Sequence, residues 1–189
     1  RSASSLNTHT YTTNPTINHI GFGREDGSGV TIDDFVLTVE NSSSPYDTWA
    51  DGFLPTDVSD TNGNGDGDSL INLLEFGFGT DPTLSDAVPL NPDGSVNGVP
   101  IPVASGGGGG VTFDYLFVRR DDHGTSGSVT YTPQFSSDLT TFYDSSATPD
   151  LVADSTNDPA YEIVKVPYPV TLPDGKEARF ARMKVDEVP

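Results

Sequence analysis

The stretch VTFDYLFVR, from Val111 to Arg119, decides the fold class of this chain. Its aromatic residues, Phe113, Tyr115 and Phe117, occupy every second position, with Thr, Asp and Leu between them. Successive side chains of a strand point to opposite faces of a sheet. The alternation therefore predicts an antiparallel strand with one buried face.

Three more strands are predicted downstream, over Val129–Ser136, Tyr161–Val166 and Ala178–Val185. Clusters rich in Asp, Ser and Gly separate these strands and predict turns, the longest at residues 144–158. We therefore predict a mainly β fold whose C-terminal module, residues 111–189, is an antiparallel β-sandwich. The preceding residues 87–110 are rich in Pro and Gly and end in five glycines, which predicts a linker.

Residues 45–86 have a different pattern, which predicts two short helices. Ser44 and Pro45 are typical of a helix start, and Tyr46, Trp49 and Phe53 follow at helical spacing. Three aromatic side chains on one face of a short helix require burial. We therefore expect the only tryptophan of the chain to lie in the core.

An acidic loop with the sequence DTNGNGDGD, from Asp60 to Asp68, follows the first helix. Side-chain oxygens recur at every second residue, with glycines among them, and the second predicted helix, residues 69–77, then supplies Glu75. Alternating oxygen donors on a Gly-rich turn, closed by a carboxylate from the next helix, are typical of a calcium site. The complete prediction is thus antiparallel β-sandwich modules joined by an EF-hand-like calcium loop between two short helices.

Two registers of such a loop fit the sequence. In the first, which we favour, calcium is bound by Asn64, Asp66, Asp68, the Leu70 carbonyl, Asn72 and Glu75. The second register begins with Asp60 and Asn62, but Ile71 falls at its closing position and cannot bind a cation. We therefore assign Asp60 and Asn62 to a second ion or to the outer shell of the first. Asn at the first position and Ser69 at the sixth predict weak affinity, on the order of 10⁻⁴–10⁻³ M.

Several stretches resemble a known arrangement. They are Trp49, DGDSLINLLEF (66–76), GTDP (79–82), YTPQFSSDL (131–139) and RFARMKV (179–185). This set is similar to a bacterial thrombospondin type 3 or dockerin-like calcium-binding repeat, followed by the C-terminal β-module of secreted surface proteins of verrucomicrobial and planctomycete type. The resemblance implies a calcium-stiffened, extracellular surface protein that is not an enzyme. A single loop departs from true dockerins, which carry two, and this argues against cohesin binding.

Residues 1–44 are predicted to form β-strands, of which VTIDDFVLTV, from Val30 to Val39, is the clearest. This stretch loosely resembles the last strands of a laminin-G-like or concanavalin-like jelly roll. The resemblance implies either the end of a jelly roll from a longer protein or strands that pair with another molecule. An ordinary hairpin of a single β-domain is the third interpretation.

The charge and composition exclude several classes of function. The formal net charge is −19, and no Lys or Arg occurs between Arg24 and Arg119, so we expect no nucleic-acid partner. The chain has no cysteine, which excludes disulfides and thiolate chemistry. No apolar run approaches the ~18 residues of a membrane span. We expect the C-terminal arginines Arg119, Arg120, Arg179 and Arg182 to pair with acids of the same or a neighbouring subunit.

These observations favour a non-enzymatic, calcium-stabilised structural or adhesive protein, secreted or at the cell surface. A sharper hypothesis is self-assembly into a homo-oligomer, filament or surface layer through unpaired strand edges. The alternative is a carbohydrate-binding accessory region of a secreted polysaccharide-degrading enzyme, with Tyr143, Tyr161 and Tyr168 as candidate platforms. We discount a hydrolase triad, because Asp121–His123 and the nearby serines share one polar turn without a nucleophile elbow.

Overall fold

The structure, a computed structural model, describes residues 43–85, 87–106 and 111–189. The strands and jelly-roll ending predicted within residues 1–42 lie outside the described residues. The described residues belong to one compact unit.

Two short helices and seven strands occupy the described ranges. The helices are α1 (Pro45–Asp51) and α2 (Asn72–Phe78). The strands are β1 (Ile101–Ser105), β2 (Thr112–Arg120), β3 (Val129–Ser136), β4 (Tyr143–Asp144), β5 (Asp150–Asp154), β6 (Tyr161–Pro167) and β7 (Phe180–Glu187).

The strands form two antiparallel sheets. The order in the first sheet is β1-β2-β6-β5, and the order in the second is β4-β3-β7. The predicted mainly β fold with two short helices is therefore confirmed. The four predicted strands correspond to β2, β3, β6 and β7, each within two residues of the predicted ends.

Both sheets contribute to one hydrophobic core. Tyr115 and Phe117 of β2 and Val164 of β6 come from the first sheet, and Phe135 of β3 comes from the second. The rings of Tyr115 and Phe135 lie 6.2 Å apart between centroids in an edge-to-face arrangement. Aromatic pairs favour this geometry, so the two sheets are packed face to face at this point.

The prediction that β2 has only one buried face is wrong. Tyr115 and Phe117 are buried on one face, and Leu116 and Val118 are buried on the other. The second face is covered because the stretch before β2 folds back over it and places Leu90 in the same cluster. The central strand thus has apolar contacts on both sides.

The structure also differs from the predicted linker over residues 87–110. Ile101–Ser105 form β1, whose register places Ile101 opposite Leu116 of β2. Pro102 is compatible with this position because β1 lies at the sheet edge, where one row of main-chain groups is not needed for pairing. Strands β4 and β5 lie in stretches that the sequence assigned to turns or loops.

Helix α1 begins as the sequence predicts, and its aromatic face is packed, but Trp49 is only partly buried. The Ser44 hydroxyl accepts a 3.0 Å hydrogen bond from the Asp47 amide, and Asp47 Oδ2 accepts a 3.2 Å hydrogen bond from the Ser44 amide. This reciprocal capping box satisfies two main-chain donors that the first helical turn leaves open. The aromatic face of α1 packs on Phe76 of α2, with ring centroids 5.2 Å from Tyr46 and 5.4 Å from Trp49.

Helix α2 starts three residues later than predicted and extends one residue further, to Phe78. It begins at Asn72 because the preceding residues still belong to the loop, where the Leu70 amide donates to Asp68 Oδ1. Its C-cap is Gly79, which has a φ of +68° in the left-handed region. Its Phe76 is fully buried against Val129 of β3, which contributes about 1.5–3 kcal/mol. Neither helix of the described ranges is long and apolar enough to cross a membrane.

Candidate cation site

Three carboxylates predicted to bind calcium meet beside the start of α2. Asp66 and Asp68 come from the loop and Glu75 comes from the helix, and one oxygen of each lies within 4.8 Å of the others. Glu75 is fully buried, whereas the two aspartates are partly buried. At such separations each pair of ionised carboxylates repels by roughly 4 kcal/mol near a protein surface. A cation between them would remove this repulsion.

The loop uses one oxygen of each aspartate for its own shape. Asp66 Oδ1 accepts a 3.2 Å hydrogen bond from the Asp68 amide, and Asp68 Oδ1 accepts a 2.6 Å hydrogen bond from the Leu70 amide. Oδ2 of each aspartate is buried and has no hydrogen-bond partner in the described part of the chain. Buried carboxylate oxygens normally have partners, so these two are candidates for binding a ligand.

Asn72 adds a neutral oxygen to this region. Its Nδ2 donates to the carbonyls of Asp60 at 2.9 Å and Val58 at 3.3 Å. Both partners accept only, so the orientation of the amide is fixed and its nitrogen points at them. Asn72 Oδ1 is buried without a hydrogen-bond partner among the described residues, in a residue that is only 2% exposed. Asn72 and Glu75 are three residues apart on α2 and therefore share a helix face.

Glycine at position 63 permits this arrangement. A Cβ atom on Gly63 would lie 2.8 Å from Asn72 Nδ2 and 3.0 Å from the Asp60 carbonyl oxygen. Only a residue without a side chain allows the loop to approach the amide so closely. The loop and the first residue of α2 are thus held together by protein contacts alone.

The structure places the other predicted ligands differently. Asp60 is exposed and is not one of the three gathered carboxylates; its Oδ1 accepts the Asn62 amide at 3.0 Å. Asn62 is exposed as well. Asn64 is exposed, and both atoms of its amide group bond within the loop, Oδ1 to the Gly67 amide and Nδ2 to the Asp68 carbonyl, each at 2.8 Å. Leu70, whose carbonyl was the predicted ligand, is buried.

The negative charges of the acidic residues also affect Tyr46 of α1. Tyr46 donates a 2.8 Å hydrogen bond to the Val58 carbonyl, which also accepts from Asn72. Burial raises the pKa of Tyr46 to about 12, and the negative charges of Asp60, Glu187 and Glu75 act in the same direction. The hydroxyl therefore stays protonated and keeps donating to the loop at any physiological pH.

Sequence reasoning missed the contacts that hold the other end of α2. Tyr161 of β6 donates to the Phe76 carbonyl at 2.8 Å, and Tyr131 of β3 donates to the Gly77 carbonyl at 2.6 Å. These bonds satisfy carbonyls that the last helical turn leaves open. The two tyrosines carry no local signal for this role, because their partners lie far away in the sequence.

The expected pairing with acids is confirmed for Arg119 and Arg120, whereas Arg182 donates to the neutral side-chain oxygen of Gln134 at 2.6 Å. Arg119 forms a salt bridge with Glu162, and Arg120 forms a two-point salt bridge with Asp122 at 2.7 and 2.8 Å. Arg120 is 8% exposed, and its guanidinium carbon lies 4.0 Å from the centre of the Phe76 ring. Asp122 also accepts from Ser128 at 2.7 Å. In this turn the His123 Nδ1 lies 2.8 Å from the Arg120 carbonyl oxygen.

The three tyrosines considered as sugar platforms have different surroundings. Tyr161 is 3% exposed and belongs to the core. Tyr168 packs on Phe135, with ring centroids 4.8 Å apart. Tyr143 lines a cleft of about 370 Å³ together with Asp144 and Ser145. Tyr143 and Tyr168 are both partly buried against the core, but of the three tyrosines Tyr143 is the one that lines this cleft.

No protein-family model, curated protein or solved structure matches the chain. The resemblance to a thrombospondin type 3 or dockerin-like repeat thus stays a prediction. The candidate site stands on its geometry and chemistry alone.

Proposed function

We propose that this chain is a non-enzymatic structural or adhesive protein of the cell surface or extracellular space, stabilised by calcium. The observation that carries the proposal is the convergence of Asp66, Asp68 and Glu75 next to an Asn72 oxygen that is buried without a described partner. Oxygen donors of mixed charge, held on a loop and a helix end, suit a hard cation of flexible coordination.

Calcium fits this donor set better than magnesium. Calcium accepts several protein oxygens in irregular geometry, whereas magnesium demands a near-octahedral arrangement and retains most of its water. The donors here come from a Gly-rich loop and from a helix, which favours the more tolerant ion. The main-chain carbonyl of Leu70 completes the proposed set, together with water.

The cation would stabilise the packing of α2 on the β-sandwich. Glu75 precedes Phe76, whose ring is fully buried and whose carbonyl accepts from Tyr161. An ion that neutralises the carboxylates removes the repulsion that opposes this packing. Because the ion binds the folded arrangement and not the unfolded chain, it raises the free energy of unfolding.

A weak site would suit the extracellular environment, where calcium is abundant and a chain without disulfides needs another source of stability.

Self-assembly is the sharper form of the proposal. Strand β7 is an edge strand that pairs only with β3 among the described strands. A free edge can recruit a strand of another copy. Light scattering with calcium tests this form, and a strictly monodisperse monomer would argue against it.

Isothermal titration of the full chain with calcium tests the main proposal. We expect saturable binding by the natural sequence and at least tenfold weaker binding by Asp68→Asn, which keeps the shape but removes a charge. Asp93→Asn is the matched control, because Asp93 is an exposed turn carboxylate whose Oδ1 accepts from Ser95. Far-ultraviolet circular dichroism checks that each variant is folded. Equal affinity of both variants, or no binding by the natural sequence, would contradict the proposal.

A second candidate function is carbohydrate binding at the cleft lined by Tyr143. An aromatic ring beside Asp144 and Ser145 offers both stacking and hydrogen bonds to a sugar. Binding to a glycan array that Tyr143→Ala abolishes would favour this function over a purely structural one. If no glycan of the array is bound, the structural proposal would be the better one.

A further inference from the structure

Three Asn-Gly pairs occur in the described ranges, at Asn62, Asn64 and Asn97. An asparagine before glycine is chemically labile, because the following main-chain nitrogen can attack the side-chain amide without hindrance from a Cβ atom. The attack loses ammonia and ultimately leaves an acid in place of the amide. The three pairs share this chemistry, but the structure gives them different surroundings.

In the Asn64-Gly65 pair, the attacking main-chain amide is free of hydrogen bonds to the described part of the chain. The Gly65 amide donates no hydrogen bond within the described residues, and Gly65 is exposed. By contrast, the Gly63 amide that follows Asn62 is tied to the Asp60 carbonyl at 2.8 Å. Asn97 is 3% exposed, and its Oδ1 accepts from Ser155. Exposure and a free attacking amide therefore single out position 64.

The same loop polarises the amide of Asn64 for attack. The Gly67 amide donates a 2.8 Å hydrogen bond to Asn64 Oδ1. A donor at this oxygen draws electrons from Cγ and stabilises the negative charge that forms on the oxygen during addition. The geometry thus supplies both the electrophile and an exposed nucleophile in neighbouring residues.

An acid at this position would complete the cation site. Asp66 and Asp68 each use one oxygen for a loop amide and keep a second, unpartnered oxygen. Asn64 repeats the first half of this pattern, but its second atom is Nδ2, a donor, which bonds to the Asp68 carbonyl at 2.8 Å. If an oxygen replaced Asn64 Nδ2, it would face the Asp68 carbonyl oxygen at this distance, and both atoms would be acceptors. A bound cation is the natural way to relieve their repulsion.

We propose that Asn64 is a deamidation site and that its conversion to aspartate strengthens calcium binding by the loop. The Gly65 nitrogen attacks Asn64 Cγ, the Cγ–Nδ2 bond breaks, and Nδ2 leaves as ammonia with the proton of the attacking amide. Water then opens the succinimide. Hydrolysis at Cγ gives aspartate, and hydrolysis at the main-chain carbonyl carbon gives isoaspartate. One water is consumed and one ammonia is released.

The two products act in opposite directions. Aspartate keeps the main chain unchanged and adds a fourth carboxylate to the loop. Isoaspartate inserts an extra carbon into the main chain and disrupts the spacing of the ligands. The effect on affinity rests on the proposed calcium function, whereas the chemical step does not.

The chemical step is tested by incubating the full chain at neutral pH without calcium and mapping its peptides by mass spectrometry. We expect acid to accumulate fastest at position 64, more slowly at 62 and slowest at 97. Saturating calcium should slow the reaction at 64, because it holds the loop rigid. Equal or faster conversion at 62 or 97 would overturn the inference.

The effect on affinity is tested by calcium titration of Asn64→Asp and of Asn64→Gln. We expect about tenfold tighter binding for Asn64→Asp, because a fourth carboxylate adds to the ligand charge. Asn64→Gln retains an amide, so its binding should not tighten. Deamidated natural protein, separated by ion exchange into its two products, provides a second measurement if a variant does not fold. Unchanged affinity of Asn64→Asp, with the natural sequence still binding calcium, would overturn the inference while leaving the proposed function intact. Absence of binding by the natural sequence would instead contradict the proposed function.

Discussion

The hydroxyl of Tyr161 in β6 donates a 2.8 Å hydrogen bond to the main-chain carbonyl of Phe76 in α2, 85 residues earlier in the chain. Arg120 Nη1 donates to the same hydroxyl at 3.0 Å. The helix that carries Glu75 is thereby bound to the first sheet through a buried, three-member network. We therefore expect the proposed cation binding at Glu75 to be coupled to the packing of α2 on this sheet.

Substitution Tyr161→Phe should lower the free energy of unfolding by about 1–3 kcal/mol. It leaves the buried Phe76 carbonyl and the Arg120 Nη1 donor without their shared partner. Tyr143→Phe is the matched control, because Tyr143 is partly exposed and makes no side-chain hydrogen bond among the described residues. We expect that variant to change stability by less than about 0.5 kcal/mol. Urea unfolding of both variants measures the difference, and equal effects would refute the role assigned to Tyr161.

Acid should weaken the fold partly through Asp122. The two-point hydrogen bond from Arg120 lowers the pKa of Asp122 below its ordinary value. A carboxylate with a lowered pKa in the folded state contributes stability above the ordinary value, and this contribution is lost as pH falls through the lowered value. We therefore expect the free energy of unfolding to fall below about pH 4, with a shallower slope in Asp122→Asn. Parallel pH profiles for the two proteins would show that Asp122 does not contribute.

The left-handed end of α2 should tolerate no side chain. Gly79 has a φ of +68°, and an added Cβ would lie 2.5 Å from Asn97 Nδ2 and 3.2 Å from the Tyr161 ring. Gly124 has a φ of +77° with nothing within 4 Å of an added Cβ. Gly124→Ala should therefore cost only the backbone strain, about 1–2 kcal/mol, and Gly79→Ala about 1–3 kcal/mol more. Similar thermal unfolding of the two variants would mean that the contact with Asn97 relaxes freely.

Strand β3 was predictable because its apolar residues alternate over seven positions, and β2, β6 and β7 were predictable because stretches rich in aromatic and β-branched residues lie between clear turn signals. Strand β1 was not, because IPVAS contains a proline and precedes a run of glycines, both typical of a loop. Strand β5 was missed because its apolar residues Leu151, Val152 and Ala153 are consecutive, so the sequence lacks the alternation that marks a half-buried strand. Edge strands are ordered by pairing with a neighbouring strand, and the local sequence does not show which strand that is.

The site was predictable to the extent that its spacing is local. Asp66, Asp68 and Glu75 were predicted together because a turn followed by a helix brings residues at these spacings to one place. The local bonding of Asn64 was not predictable, because it depends on which amide atom faces the Asp68 carbonyl. The role of Tyr161 was also hidden, since it arises only when β6 meets α2.

Thermal unfolding with calcium and with a chelator tests the central claim most directly. At about 10 mM calcium and an affinity on the order of 10⁻⁴–10⁻³ M, we expect a gain of roughly 1.5–3 kcal/mol, or about 5 °C in Tm. Asp68→Asn should lose most of this gain, and Asp93→Asn should retain it. A Tm of the natural sequence that is the same in calcium and in chelator would contradict the claim that calcium stabilises this fold.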